Sequence, residues 1–387
     1  MDHETLKLLL DISHRQELFN QILSNLKEFA EWDFIEYDQC KTSEGIVPSL
    51  KVSYNGNVND VKYLKVFIAA QHNEYNGLFG ILEYLDQITK DGTNSKGIMK
   101  LDQEIIFFPL MNPYGFIHPK KENKSGYYLK NGTNLNRYWR RTFAPESPFS
   151  KGDANGNPLP DHAKYVKEVL QPYWDNPDIS IYLLDFHETS LLERFPRDLV
   201  KNFKKKSITY KFDHWLKEGI ILNIMKLYDI PYYRRPLFTK CNPSADHDHI
   251  NMTIRQVDLI YEKLEQYLNE NQDRLPFYFC YSTKSKEFCE NLAQKVYENL
   301  SDTVWETYFP SFDHSFVQHG CFVIMSDATS RKRVYSMELE SKKQFFNIFK
   351  EIRKSQSQPD YFKTKLDDMN KNITLAKESI KEMLTMI

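Results

Sequence analysis

Three apolar runs in this 387-residue chain end in side chains that could hold a metal ion or carry a proton. "VFIAA", from Val66 to Ala70, gives way to Gln71, His72, Asn73 and Glu74. "IYLLDF" runs into His187, Glu188 and Thr189, and "RVYSM" carries Glu338 at its far half. Between the first two lies "GTNLNRYW", with Asn136 and Arg137 adjacent in a loop. Imidazole nitrogens and carboxylate or amide oxygens are the donors of a catalytic zinc, which takes three protein ligands and keeps a position for water. A carboxylate near that water can take its proton, because the metal lowers the water's pKa. The Arg137 guanidinium is a planar fork suited to gripping a carboxylate through two bonds. Together these residue types point to hydrolysis of a carboxylate-bearing substrate.

The elements that must position them follow from periodicity. "LKLLLDISHRQELFNQILSNLKEFAEWDF" repeats apolar residues at three- and four-residue intervals and predicts an amphipathic helix ahead of the main body. "SLKVSYNG" and "VKYLKVFIAAQ" predict two strands joined as a hairpin at Asn55-Gly56, a strong turn pair. Alternation follows: a helix over 78–90, strand "EIIFFPLMN", a long loop, helix "HAKYVKEVLQPYW" and strand "ISIYLLDFH". Strand "FYFCYS", helix "SKEFCENLAQKVYENL", strands "CFVIMS" and "RVYSMELE" and helix "KKQFFNIFKEIRK" come later. Strands apolar throughout and separated by helices belong to a sheet covered on both faces, with ligands beyond the carboxyl ends of its strands. The expected organisation is a helical extension over 1–46, one α/β domain over 47–356 and a polar, Lys-rich helical tail over 357–387.

Composition narrows the field further. With 51 Lys and Arg against 53 Asp and Glu, no basic field advertises nucleic acid. No apolar run approaches a membrane span. Five cysteines, Cys40, Cys241, Cys280, Cys289 and Cys321, form no C-x-x-C pair and read as buried thiols. The amino terminus lacks a secretory pattern, so a cytoplasmic protein is expected and the sequon at Asn131 is read as chance. Oligomeric state is left open. There is no glycine-rich phosphate loop and no nucleophile-elbow serine.

The order Glu74, "NPYGF" (Asn112 to Phe116), "TNLNR" (Thr133 to Arg137), "LLDFHET" (Leu183 to Thr189) and "YSMELE" (Tyr335 to Glu340) resembles the zinc carboxypeptidase family, peptidase family M14, over about 50–350. That family includes the succinylglutamate desuccinylase and aspartoacylase branch, and its motifs read H-x-x-E, N-P-D-G-F, D-x-N-R, D-x-H and T-x-E-L. The resemblance implies a three-layer α/β/α fold around a mixed, mostly parallel eight-stranded sheet. It implies Zn2+ held by Glu74 and His187, with Asn136 and Arg137 on the substrate's free carboxylate and Glu338 as general base and proton donor.

Two departures stand out. Aligned on Glu74, the first ligand position holds Gln71, with His72 one place later. A Gln-Glu-His set is what the cell-shape D,L-carboxypeptidases of this family use on peptidoglycan peptides, so Gln71 is the expected ligand; a one-residue shift of the loop would give the role to His72. A glutamine oxygen is a weaker zinc donor than imidazole. The family's oxyanion-stabilising arginine is also missing, and among Lys120, Lys121, Lys124 and Lys130 the last lies nearest its place. Asn134 replaces the usual aspartate before "LNR". His247 and His249 with Asp246 and Asp248, then His314 and His319, are read first as exposed loop residues, and Arg194 and Arg197 as either pocket charges or surface.

The function expected is a metallocarboxypeptidase acting on a peptide, cell-wall peptides included. An amidohydrolase of N-acyl amino acids is the alternative, and a metal-free relative that binds peptide carboxyl termini is the third reading, resting on Gln71 and the missing arginine.

Overall fold

The computed structural model describes residues 1–53, 60–91, 102–145, 157–189, 209–210, 228–229, 233–235, 249–251, 254–271, 273–304, 311–313, 321–329, 331, 333–345 and 347–386. Asn55-Gly56, Arg194, Arg197, Asp246, His247, Asp248, His314, His319 and the side chain of His249 therefore lie outside the described residues.

Strands β1 (Ile35–Thr42), β2 (Gly45–Ser53), β3 (Tyr63–Ile68), β4 (Gln103–Phe108), β5 (Ser180–Thr189), β9 (Tyr278–Tyr281), β10 (Ser311–Asp313) and β11 (Val334–Lys342) form one sheet in the order β1-β2-β4-β3-β5-β11-β9-β10. The short strands β6 (Thr209–Tyr210), β7 (Tyr233–Arg235) and β8 (His249–Asn251) pair separately. The run β4-β3-β5-β11 at the centre is parallel; β2 and β9 join its two edges antiparallel, β1 pairs antiparallel with β2, and β10 pairs parallel with β9. Helices cover both faces. Phe67, Phe107, Leu184 and Phe186 meet helices 15–29, 76–91, 286–300 and 361–385, whereas Val66, Phe108, Ile181 and Leu183 meet 139–143 and 161–174. This is the three-layer mixed fold expected. No described helix is long and apolar enough to cross a membrane.

Three local expectations are corrected. The hairpin placed at Asn55-Gly56 does not form between β2 and β3, because β4 lies between them and pairs with both. The hairpin joins β1 to β2 through Ser43-Glu44, with the Thr42 hydroxyl donating to Gly45 O (2.8 Å) and Gly45 at φ +129°, which a side chain would resist. The apolar run Cys321–Ser326 is helical rather than a strand, one turn over Phe322–Ile324 leading into the helix Met325–Ala328, because so short a run carries no period of its own. The first amphipathic helix is divided at Asp11, which ends His3–Leu10 and accepts from Ser13 N (3.0 Å) before Arg15–Phe29 begins.

Side chains alternate along β5. Phe186 and Glu188 turn toward helix 76–91, while Asp185 and His187 turn to the other face beside Glu338 and Glu340 of β11, their register partners. The polar ends of the parallel strands thereby share one corner of the sheet.

Candidate metal centre

β3 stops at Ile68, but its partner holds the chain two residues further. Ala69 N donates to Phe108 O (3.0 Å), and Asn112 N donates to Ala70 O (3.0 Å). Ala70 itself adopts φ +52°, a left-handed conformation rare for a residue with a Cβ. This kink decides where the next side chains go. The Gln71 amide turns into the sheet, where its oxygen accepts from Trp139 Nε1 (2.8 Å) and its nitrogen donates to Asp185 Oδ2. His72 turns toward Glu74.

His72, Glu74 and His187 have donor atoms within 4.8 Å of one another, and all three are buried. His187 Nδ1 lies 2.8 Å and His72 Nδ1 3.2 Å from the same oxygen, Glu74 Oε2. The opposite ring nitrogens are each tied down: His187 Nε2 to Asp185 Oδ2 at 2.8 Å, and His72 Nε2 to Asn134 Oδ1 at 2.9 Å. Such outer partners fix which nitrogen faces inward, the arrangement typical of metal-ligating histidines. Tyr127 stacks on the His72 ring (3.9 Å between centroids, 9° between planes). Donor types, convergence and outer partners fit a divalent ion bound by two imidazoles and one carboxylate.

The electrostatics agree with a site built around positive charge. Burial alone would raise the Glu74 carboxyl, yet Lys343, His72 and His187 hold it well below the usual range. Burial likewise opposes charge on His187, but Asp185 and Glu338 outweigh it and keep the imidazolium favoured. At His72 burial prevails and lowers the pKa. Glu338, 7% exposed, has one carboxylate oxygen 3.5 Å from His187 Nε2; burial pushes it up to about 7 against the pull of His187. Glu340, on the same face, is raised by burial and by Glu338.

Asn136 joins the cluster, its Nδ2 standing 3.2 Å from His187 Nε2 and its Oδ1 accepting from Phe322 N (2.9 Å). Arg137 follows it, half-buried, with Nη1 donating to Asn136 O (2.6 Å), and its charge reaches Glu338. Lys130 lies exposed, outside the buried cluster, and its backbone N–H donates to Glu44 Oε2 (2.9 Å).

Two contributors went unread in the sequence. Asp185 had a usable signal, since i and i+2 on a strand share a face and it stands two residues before His187. Lys343 had none: it belongs to no motif, yet its ammonium donates to Glu74 Oε1 at 2.6 Å across a separation of 269 residues. Glu188 anchors the second layer, accepting from Tyr75 N (2.8 Å), Asn76 N (3.0 Å) and Gln344 N (2.8 Å), so that helix 76–91 starts on β5.

No family model matches the sequence, and no curated protein matches it. Solved structures do resemble the fold. A metallo-carboxypeptidase from Pseudomonas aeruginosa, in complex with (2-guanidinoethylmercapto)succinic acid, aligns at TM-score 0.50 and 9% identity over 95% of this chain and 68% of that one. Bovine thrombin-activatable fibrinolysis inhibitor aligns at TM-score 0.49 and 11% identity over 96% and 95%. A metallo-carboxypeptidase from Burkholderia cenocepacia aligns at 0.48 and 12% over 93% and 66%. The chain thus has a carboxypeptidase-like fold and, at the carboxyl end of its sheet, a His-Glu-His group suited to a metal ion.

Proposed function

We propose that this chain is a zinc-dependent hydrolase of the metallocarboxypeptidase type, cleaving the amide bond beside a residue with a free carboxylate. One observation carries the reading: the inward nitrogens of His72 and His187 meet on one oxygen of Glu74, with both outer nitrogens already engaged. In it His72, Glu74 and His187 hold the ion. For Gln71 to serve instead, its amide would have to leave both Trp139 and Asp185. Bound there, zinc would polarise the carbonyl and acidify a water. Glu338, whose carboxyl burial pushes up to about 7, would take that proton and return it to the leaving amine. Arg137 and Asn136 orient the substrate carboxylate. Lys130, the loop cation expected at the oxyanion, would have to reach inward from its exposed position. Peptides, peptidoglycan peptides included, are the first substrate class, and N-acyl amino acids the second.

Elemental analysis of the purified protein tests the reading. About one zinc per chain is expected, with hydrolysis of a blocked dipeptide that chelation abolishes; a folded protein that takes up no divalent ion refutes it. Turnover of an N-acyl amino acid alone would move the substrate to the second class.

A further inference from the structure

The Lys343 side chain is 8% exposed and its ammonium sits on Glu74 Oε1 at 2.6 Å, leaving Oε2 to face the two imidazoles. Its backbone is fixed immediately after β11, where Lys343 N donates to Thr189 O at 2.9 Å, and Gln344 N binds Glu188. The side chain is covered by the Tyr127 ring, whose centroid lies 5.7 Å from Nζ. A lysine so held is no loose surface charge. Resting on the metal-binding reading above, we propose that Lys343 is a built-in counter-cation that limits Glu74 to one-oxygen coordination and weakens the hold of the site on its ion.

The physics has two parts. A carboxylate whose one oxygen is engaged by an ammonium has only the other to offer, and its donated charge is shared. A fixed positive charge a few ångströms from a dication also repels it, more strongly in a buried site than in water. The result is a less tightly bound ion that keeps more of its own charge for polarising the substrate. A lysine that merely braced Glu74 would do the reverse, since its loss would leave the ligand disordered and the ion weakly held.

The sign of the affinity change separates the two. Zinc affinity is measured by competition with a chromophoric chelator, and thermal unfolding is followed with and without zinc, for the wild-type chain, Lys343→Met, Lys343→Gln and Lys343→Arg. Removing the charge in Lys343→Met is expected to tighten zinc binding on the order of tenfold or more, and Lys343→Arg to leave it near the wild-type value. Without metal, Lys343→Met takes the ammonium from the buried Glu74 Oε1 and is expected to melt lower, with a larger zinc-induced rise in Tm than the wild type shows. Lys343→Gln keeps a donor without the charge, so it tests the same sign where the methionine variant is too unstable. Weaker or unchanged zinc binding in the charge-free variants overturns the proposal, as does failure of zinc to restore folding to both. If the wild-type chain binds no divalent ion, the functional reading itself is what has failed.

Discussion

Gln71 and His72 are neighbours with different fates, and the difference arises one residue upstream. A regular strand would have sent alternate side chains to opposite faces and kept the register of an H-x-x-E motif, with Gln71 at the ligand position. The left-handed Ala70 interrupts that alternation, leaving Gln71 on Trp139 and Asp185 and His72 on Glu74, and no feature of "IAAQHNE" announces it, because alanine is not a residue that favours φ +52°. Glu74, His187 and Glu338 were legible as polar groups ending apolar runs; which of two adjacent side chains turns inward was not. His72→Ala is therefore expected to abolish stoichiometric zinc binding, while Gln71→Ala retains it with affinity lowered through the loosened Asp185. Equilibrium dialysis of the two variants checks this, and the opposite order would return the ligand role to Gln71. Glu338→Gln is expected to keep its zinc and lose turnover by about 10²–10⁴-fold, read as kcat with metal content measured alongside.

Elements were read more reliably than their pairing. The central strands β3, β4, β5 and β11 announce themselves because burial on both faces demands unbroken apolar runs. The insertion of β4 between β2 and β3 is a long-range choice that no local turn signal encodes. What brings helix 76–91 close enough to aim Glu74 is also invisible in periodicity: a Cβ on Gly77 would stand 2.3 Å from Phe186 Cβ, in the strand that carries Asp185 and His187. Gly77→Ala is accordingly expected to cost about 1–3 kcal/mol by overpacking and to lower zinc affinity as β5 shifts; denaturant unfolding and chelator competition measure the two effects. The helix Asp161–Trp174 gives a pH signature of its own. It buries His162 at 2% exposure with neither ring nitrogen partnered, and burial lowers the pKa to about 4 despite Asp161 nearby. A base depressed in the folded state contributes stability above its unfolded value of about 6.5, and that stability is lost as the pH falls toward 4, about 3 kcal/mol in all. His162→Phe is expected to remove this component, so that its stability falls less steeply than that of the wild type between those pH values in urea titrations.

At the scale of the whole molecule, the polar ends of the chain are the least legible part, because Lys-rich sequence disguises a buried stripe. Helix 361–385 reads as a solvated appendage, yet Met369, Ile373, Leu375, Ile380, Met383 and Leu384 are buried in the core that the sheet and helix 76–91 share. Gly80 permits that approach, since a Cβ there would lie 2.6 Å from Ala376 Cβ. Lys65, buried within β3, donates its ammonium to Met383 O, tying the carboxyl-terminal helix to the strand that leads to the candidate metal centre. At about 1.5–3 kcal/mol for each large apolar side chain withdrawn from water, these six alone contribute on the order of the 5–15 kcal/mol that separates a folded domain from its unfolded chain. A chain ending at Gln358 is therefore expected to have no cooperative unfolding transition and no zinc site, even though every proposed ligand is still present. Adding the 359–387 segment back as a separate peptide is expected to restore part of both, because the stripe it covers belongs to the remaining body. A truncated protein that melts like the full chain would show that this helix is a passenger on a core already complete.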